Sequence, residues 1–318
     1  MCSKPPAGSA NCAEAAALAE QLPLDIQSLG DALSAAALFI KRYQPESPRL
    51  EAEIIIGELW HKSPEFLFAH PEAAFPSELW QQARLKIARR CLGEPIAYII
   101  GRREFFGHAF KVTPATLVPR PETEILVEKA LEEITAWPSP APADILDLCT
   151  GSGNIAISLA LAVPHCQVWA QDISEAALEV AQANVDHYSL QNRVHLLGGN
   201  LFSQIAPAQR FAIITANPPY ISRDGSLPPD PNVCRYEPEL ALFAGSDGLD
   251  IIRSIAVQAP RFLLPGGRLF MEIGCGQAEQ ATEIISQAGL EEVQITQDLQ
   301  NLPRIVSARL NSKHTGKL

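Results

Sequence analysis

From Asp144 onward, short apolar runs alternate with segments of helical periodicity, and that alternation leaves few folds open. Ile145–Leu148, Val168–Gln171, Val194–Gly198 and Phe211–Ala216 read as buried strands. Asn154–Leu161, Ser174–His187, Asp247–Ala259 and Gln277–Ala288 read as helices, and Leu264–Ile273 as a Pro-Gly-Gly turn leading into another strand. Strands separated by helices pair in parallel, with the helices covering both faces of an open sheet. The last two strands, Glu292–Thr296 and Ile305–Leu310, have no crossover helix between them and should run antiparallel. The expected fold is α/β and Rossmann-like, a seven-stranded, mostly parallel sheet.

The chain before Asp144 is different. Residues 1–22 are small and Ala-rich with Pro and Gly, and read as a flexible extension with a helical piece around Ala13–Glu20. Residues 23–92 show helical spacing only. Ile26, Leu29, Leu33, Ala37 and Ile40 share one face, and Ser47-Pro48-Arg49-Leu50-Glu51 opens a second helix with a cap, an N1 proline and an early acid. Two more helical segments cover Ser63–Ala69 and Pro76–Leu92. Residues 93–118 alternate in β fashion, broken by Gly101 and Gly107, and read as a hairpin linker. A helix follows to about Ile134, then a Pro/Ala surface connection over Trp137–Pro142. Residues 119–318 form the expected catalytic domain.

At 318 residues the chain has room for two domains and a sizeable core. A net charge of −11 and the absence of any Lys/Arg run lower the expectation of nucleic-acid binding, where phosphate contacts normally require a basic face. The seven cysteines are scattered, odd in number and free of Cys-x-x-Cys, which reads as a reducing compartment without disulfides or a zinc site. No apolar run reaches a membrane span, and no signal peptide is evident, so the expected location is the cytoplasm. No metal site is expected.

Ligands of doubly wound sheets bind at the carboxyl ends of the strands. There the chain carries Asp147-Leu-Cys149-Thr150-Gly151-Ser-Gly153, whose glycines let backbone approach a ligand at a helix N-terminus. Asp172 ends the second strand, placed to accept from ribose hydroxyls. A nicotinamide dinucleotide and S-adenosyl-L-methionine (AdoMet) both satisfy this much. Three features favour AdoMet. Asp147 suits the cationic amino group of a methionine moiety and repels a pyrophosphate. Asn200, with Leu201, follows the third strand where an adenine edge would lie, and Phe202 or Ile173 offers an apolar wall. The fourth strand ends in Asn217-Pro218-Pro219-Tyr220. Two prolines fix two φ angles and remove two donors, so the chain leaves the sheet stiffly. That rigid loop presents the Asn217 side chain, the Pro218 carbonyl and the Tyr220 ring to whatever lies in the crevice. Glu272, near the end of the fifth strand, reads as a supporting structural residue.

Taken together these residues resemble the release factor glutamine methyltransferases, the PrmC/HemK family. The likeness runs from Ser47–Glu53 through Gly93–Tyr98, Arg103–Phe106, Thr113–Glu124, the glycine turn and Asn217–Tyr220 to Arg235–Pro238 and Asp298–Val306. It implies a class I AdoMet-dependent methyltransferase with a small N-terminal helical docking domain. It also implies S-adenosyl-L-homocysteine as product, and methylation of the glutamine amide in the Gly-Gly-Gln motif of class-1 peptide chain release factors. By resemblance, the segment holding Arg120 and Glu122 lines the pocket between cofactor and target. Arg235 and Glu237 would shape its rim or form a salt bridge. Direct nucleic-acid and membrane partners are not expected, and the chain is expected to be a monomer. Two departures stand out: Cys149 replaces a frequent glycine, and Asn200 replaces a frequent aspartate. A methylase of a large-subunit ribosomal protein, a DNA or RNA amino-methyltransferase and a catalytically dead AdoMet-binding scaffold are the alternative readings.

Overall fold

A computed structural model describes residues 9–43, 47–137, 143–224 and 230–312. The chain divides into two compact units, residues 1–101 and 102–318. Most of the connection expected at Trp137–Pro142 lies outside the described residues.

The first unit is helical: α1 (Ser9–Ala19), α2 (Leu29–Ile40), α3 (Pro48–Trp60), α4 (Pro64–Ala69), α5 (Ser77–Cys91) and α6 (Ile96–Ile100). Ser28 and Asp31 form a capping box at the start of α2, satisfying two orphan donors. The core gathers Leu29, Leu33, Ile40, Ile55, Ile56 and Ile87 around fully buried Trp80. The indole N–H of Trp80 donates to the Pro23 carbonyl at 2.8 Å. Two expectations need correction. The helical piece expected around Ala13–Glu20 is present as α1, but this part of the extension is packed: Ala15 and Ala19 lie against Ala88. Buried Arg84 donates to the Ala19 carbonyl from Nε and Nη2 at 3.1 and 2.8 Å. Alanines carry little apolar surface and give no strong periodic signal, so the sequence indicates the helical piece but not the partner it packs against. The start of the expected hairpin is likewise α6, closed by Gly101 at φ +80°.

The second unit opens with a hairpin, β1 (Arg102–Phe105) and β2 (His108–Lys111), followed by α7 (Thr123–Thr135). Then come β3 (Ile145–Leu148), α8 (Asn154–Ala162), β4 (Val168–Asp172), α9 (Glu175–His187), β5 (Val194–Gly198) and β6 (Phe211–Ala216). The chain closes with α10 (Pro231–Tyr236), α11 (Asp250–Gln258), β7 (Leu263–Glu272), α12 (Ala278–Gln287), β8 (Glu291–Gln297) and β9 (Pro303–Arg309). The sheet has seven strands in the order β5-β4-β3-β6-β7-β9-β8. Strands β3 to β7 pair in parallel, and β9 is antiparallel to both β7 and β8. The expected architecture and its antiparallel edge are both present. Short helix α10 was not anticipated. Separate apolar clusters cover the sheet's two faces, one with α7 and α8, the other with α11 and α12.

This order places the topological switch between β3 and β6, where a ligand crevice is expected. Register fixes what meets there. Leu148 pairs with Ala216, so Cys149 and Asn217 leave the sheet side by side. Ala216 pairs with Met271, so Asn217 also emerges beside Glu272. No helix among the described residues is long and apolar enough to cross a membrane.

Candidate active site

A cleft of about 1050 Å³, open solvent included, lies at this switch point within the second unit. Thr150, Gly151, Asp172 and Ile173 line it from β3 and β4; Asn200, Leu201, Asn217 and Pro219 line it from β5 and β6. These eight expected site residues are therefore brought to one cavity.

The glycine turn is locally determined. Gly151 and Gly153 have φ of +56° and +80°, conformations cheap only for glycine. A Cβ at Gly151 would meet nothing within 4 Å, so the residue borders free space, as a cradle for a close ligand requires. Cys149 has φ +57°, so it sits in the left-handed region at the steric cost a side chain brings there. Asp172 ties this turn to the next helix: Oδ2 accepts from Gly151 N–H at 2.8 Å and Oδ1 from Ser174 N–H at 2.9 Å. Burial raises its carboxyl above the ordinary range, opposed by those backbone donors.

Asp147 differs from its expected placement. It is fully buried and outside the cavity wall. The β3–β6 register sets Asp147 opposite Thr215, and Thr215 Oγ1 donates to Oδ1 at 2.7 Å. Thr150 Oγ1, from the turn, donates to Oδ2 at 2.6 Å. Burial pushes its pKa up from 3.8 to about 7. The carboxyl thus faces the cavity only through Thr150. Gly153 also lies outside the wall; it is the N-cap of α8.

Phe202 is a correction. Its ring is buried and stacked on Phe262, centroids 4.8 Å apart, and does not reach the cavity. Ile173, half-exposed, and Leu201 form the apolar wall on this side.

At the other side, Asn217 and Pro219 face the cavity, whereas Pro218 is buried and Tyr220 lies outside the wall. The loop is clamped from behind. Gln277 Nε2 donates to the Tyr220 carbonyl at 3.0 Å and to the Gly248 carbonyl at 3.3 Å, while Gln277 Oε1 accepts from Gly274 N–H at 2.8 Å. Gly248 is required there: a Cβ would come within 2.3 Å of the Tyr220 carbonyl oxygen. The Tyr220 hydroxyl donates to Glu272 Oε1 at 3.4 Å, and burial raises its pKa well above the phenol's usual value.

Neither Arg120 nor Glu122 is in the wall; Pro119 and Thr123 are. Arg120 pairs with buried Glu237, whose Oε2 also accepts from Val118 N–H at 3.1 Å, so the salt bridge of Glu237 is made with Arg120 and fastens the segment preceding α7. Arg235 lies over the Tyr236 ring. Thr123 donates from Oγ1 to Glu272 Oε2 at 2.6 Å and accepts from Asn217 Nδ2 at 3.2 Å. Glu272 is buried, and its carboxyl is pushed from 4.5 to about 7 by burial. The signal for it was an ionisable residue inside the apolar run Leu269–Ile273, which burial makes costly without partners. Pro238, Leu240 and Ala241 add a wall that periodicity did not indicate.

The sheet order and a switch-point cavity between a glycine turn and an Asn-Pro-Pro-Tyr loop define the class I methyltransferase fold. The hMettl16 catalytic domain in complex with MAT2A 3'UTR hairpin 1 shares it at TM-score 0.54 and 14% identity, over 72% of this chain and 82% of that one. Residues 31–101 match the PrmC N-terminal domain, and residues 123–226 the methyltransferase small domain. The release factor glutamine methyltransferase of Bordetella pertussis is 42% identical over 82% of this chain and 94% of its own length. That of Koribacter versatilis is 38% identical over 89% and 98%. The chain belongs to the release factor glutamine methyltransferase family.

Proposed function

We propose that this chain transfers the methyl group of AdoMet to the side-chain amide nitrogen of the Gly-Gly-Gln glutamine of a class-1 peptide chain release factor. The reading rests on Asn217 and Pro219 lining the same cavity as Gly151 of the glycine turn and Asp172.

The residues present fit AdoMet. Gly151 leaves room for close approach, Asp172 offers carboxylate lone pairs to a diol, and Asn200 offers an amide to a base edge beside the apolar wall of Ile173 and Leu201. When bound, AdoMet supplies an electrophilic methyl group on sulfur. Asp147 holds Thr150 and contributes negative charge behind the turn, suited to a cationic amino group.

An amide nitrogen is a weak nucleophile because its lone pair is delocalised into the carbonyl. Asn217 Oδ1 has no hydrogen-bond partner among the described residues and is free to accept from the target NH₂. The Pro218 carbonyl takes the second hydrogen. Holding both hydrogens orients the nitrogen and favours its pyramidal form as charge develops. Pro219 adds no competing N–H. Tyr220, its hydroxyl donating to Glu272, holds the loop from outside the cavity wall. A site that pairs two donors discriminates against a glutamate, which has none.

The test uses methyl-labelled AdoMet, purified release factor and the same factor with its Gly-Gly-Gln glutamine changed to alanine. Label is expected in the unmodified factor only. Label in neither would sink the reading and point to a ribosomal protein or nucleic acid.

A further inference from the structure

We infer that Thr123 and Glu272 are positioning residues that set which end of the Asn217 side-chain amide faces the cavity. This rests on the functional reading above, because the methyl-accepting amide is what Asn217 would receive.

An asparagine side chain is nearly symmetric in shape and opposite in character at its two ends. One end accepts hydrogen bonds and the other donates. Rotation by half a turn would exchange them at little steric cost, and two donors would then confront the two donors of an incoming NH₂. Something behind Asn217 must choose the orientation.

The register of β6 against β7 brings Asn217 beside Glu272, and α7 starts at Thr123 just where the two meet. Thr123 and Glu272 are 1% and 2% exposed, so water does not compete for these bonds. The direction then follows from proton counting. An ionised carboxylate only accepts. The Thr123 hydroxyl has one proton and gives it to Glu272 Oε2 at 2.6 Å. Its oxygen is left to accept, and Asn217 Nδ2 donates to it at 3.2 Å. Oδ1 is the end that remains for the cavity. The other oxygen of Glu272 accepts from Tyr220, so one carboxylate sets both polar side chains of the loop. While Glu272 is ionised each link has one allowed direction, and removing the middle one releases Asn217.

A competing explanation is shape: Thr123 is β-branched and tightly packed, and its bulk alone could matter. The two accounts predict opposite rankings of conservative variants. Thr123→Val keeps the shape and deletes the hydroxyl; Thr123→Ser keeps the hydroxyl and deletes the methyl group. Thr123→Ala deletes both and guards against misfolding of the valine protein. Each is assayed for methyl transfer to purified release factor at saturating AdoMet, and for AdoMet affinity by calorimetry. Positioning predicts that Thr123→Val and Thr123→Ala lose kcat by about 10- to 100-fold, the range seen when a partner orienting a functional group is removed. Thr123→Ser stays within about threefold of wild type, less than the smallest loss expected for the hydroxyl deletions. AdoMet affinity is retained in all three. Wild-type turnover by Thr123→Val or Thr123→Ala, or a Thr123→Ser loss equal to theirs, would overturn the inference while leaving the functional reading intact. A wild-type enzyme that labels no release factor would overturn both.

Discussion

Asp147, near the end of β3, and Glu272, at the end of β7, are both sealed from solvent, both held by threonine hydroxyls, and both pushed up to about 7 by burial. Their surroundings diverge one bond further out. The partners of Asp147, Thr150 and Thr215, end its network inside the glycine turn and the neighbouring strand. Thr123, the partner of Glu272, passes the hydrogen-bond direction on to Asn217. One buried carboxyl braces the place where a cofactor would be held, and the other aims the group that meets the target. The same chemical device serves binding on one side of the cavity and orientation on the other.

The comparison breaks first at Asn217. Aspartate there cannot donate to Thr123 and adds a second carboxylate to that oxygen. Asn217→Asp is expected to lower single-turnover methyl transfer by about 10³-fold, at the upper end for removing one preorganised group. AdoMet affinity, measured by calorimetry, should stay within about threefold, since Asn217 serves the target side. Equal loss of both would erase the division of labour. Asp172→Ala is the counterpart on the cofactor side. It removes the acceptor shared by Gly151 and Ser174 as well as the lone pairs facing the cavity. AdoMet Kd should rise about 30-fold or more, as the loss of charge-assisted hydrogen bonds implies, while kcat at saturating AdoMet changes little.

A smaller effect separates the two buried carboxyls by pH. Protonated Glu272 can donate as well as accept, so the direction imposed on Thr123 is lost below its pKa. At saturating AdoMet, kcat should therefore climb several-fold as pH rises through about 7. Thr123 and Tyr220 hydrogen-bond to Glu272, Arg304 on β9 lowers its pKa, and Glu122 raises it. Glu272→Gln does not titrate and should flatten that limb, leaving the pH dependence of AdoMet KM to Asp147. An unchanged limb in Glu272→Gln assigns it elsewhere.

The smallest effect is at Cys149. A side chain at φ +57° carries strain that glycine lacks, partly offset by the greater freedom of glycine when unfolded. Cys149→Gly should stabilise the protein by about 0.5 kcal/mol, read as a slight rise in Tm.

The sheet was legible because buried parallel strands are continuous apolar runs, and their parallel pairing followed from the helices between most of them; the strand order was not expected from the sequence. Asp172, Asn217 and the glycine turn were legible because strand ends are where such folds bind ligands. The Thr123–Glu272 contact was not, since it joins residues 149 positions apart and depends on the β6–β7 register and on where α7 begins. The same limit misplaced Phe202: four positions past a strand, a side chain turns toward or away from the crevice according to its partner, here Phe262. Arg120 and Glu122 marked the correct segment, but the helix start at Thr123 decides which side chain reaches the cavity.

The central claim is tested most directly by finding where the methyl group goes. Release factor is incubated with the enzyme and AdoMet, digested, and the modified peptide fragmented. The account predicts one added methyl on the side-chain amide nitrogen of the Gly-Gly-Gln glutamine, absent when that residue is glutamate and absent with Asn217→Asp enzyme. A methyl group on a lysine, a backbone position or any residue outside that motif would contradict it.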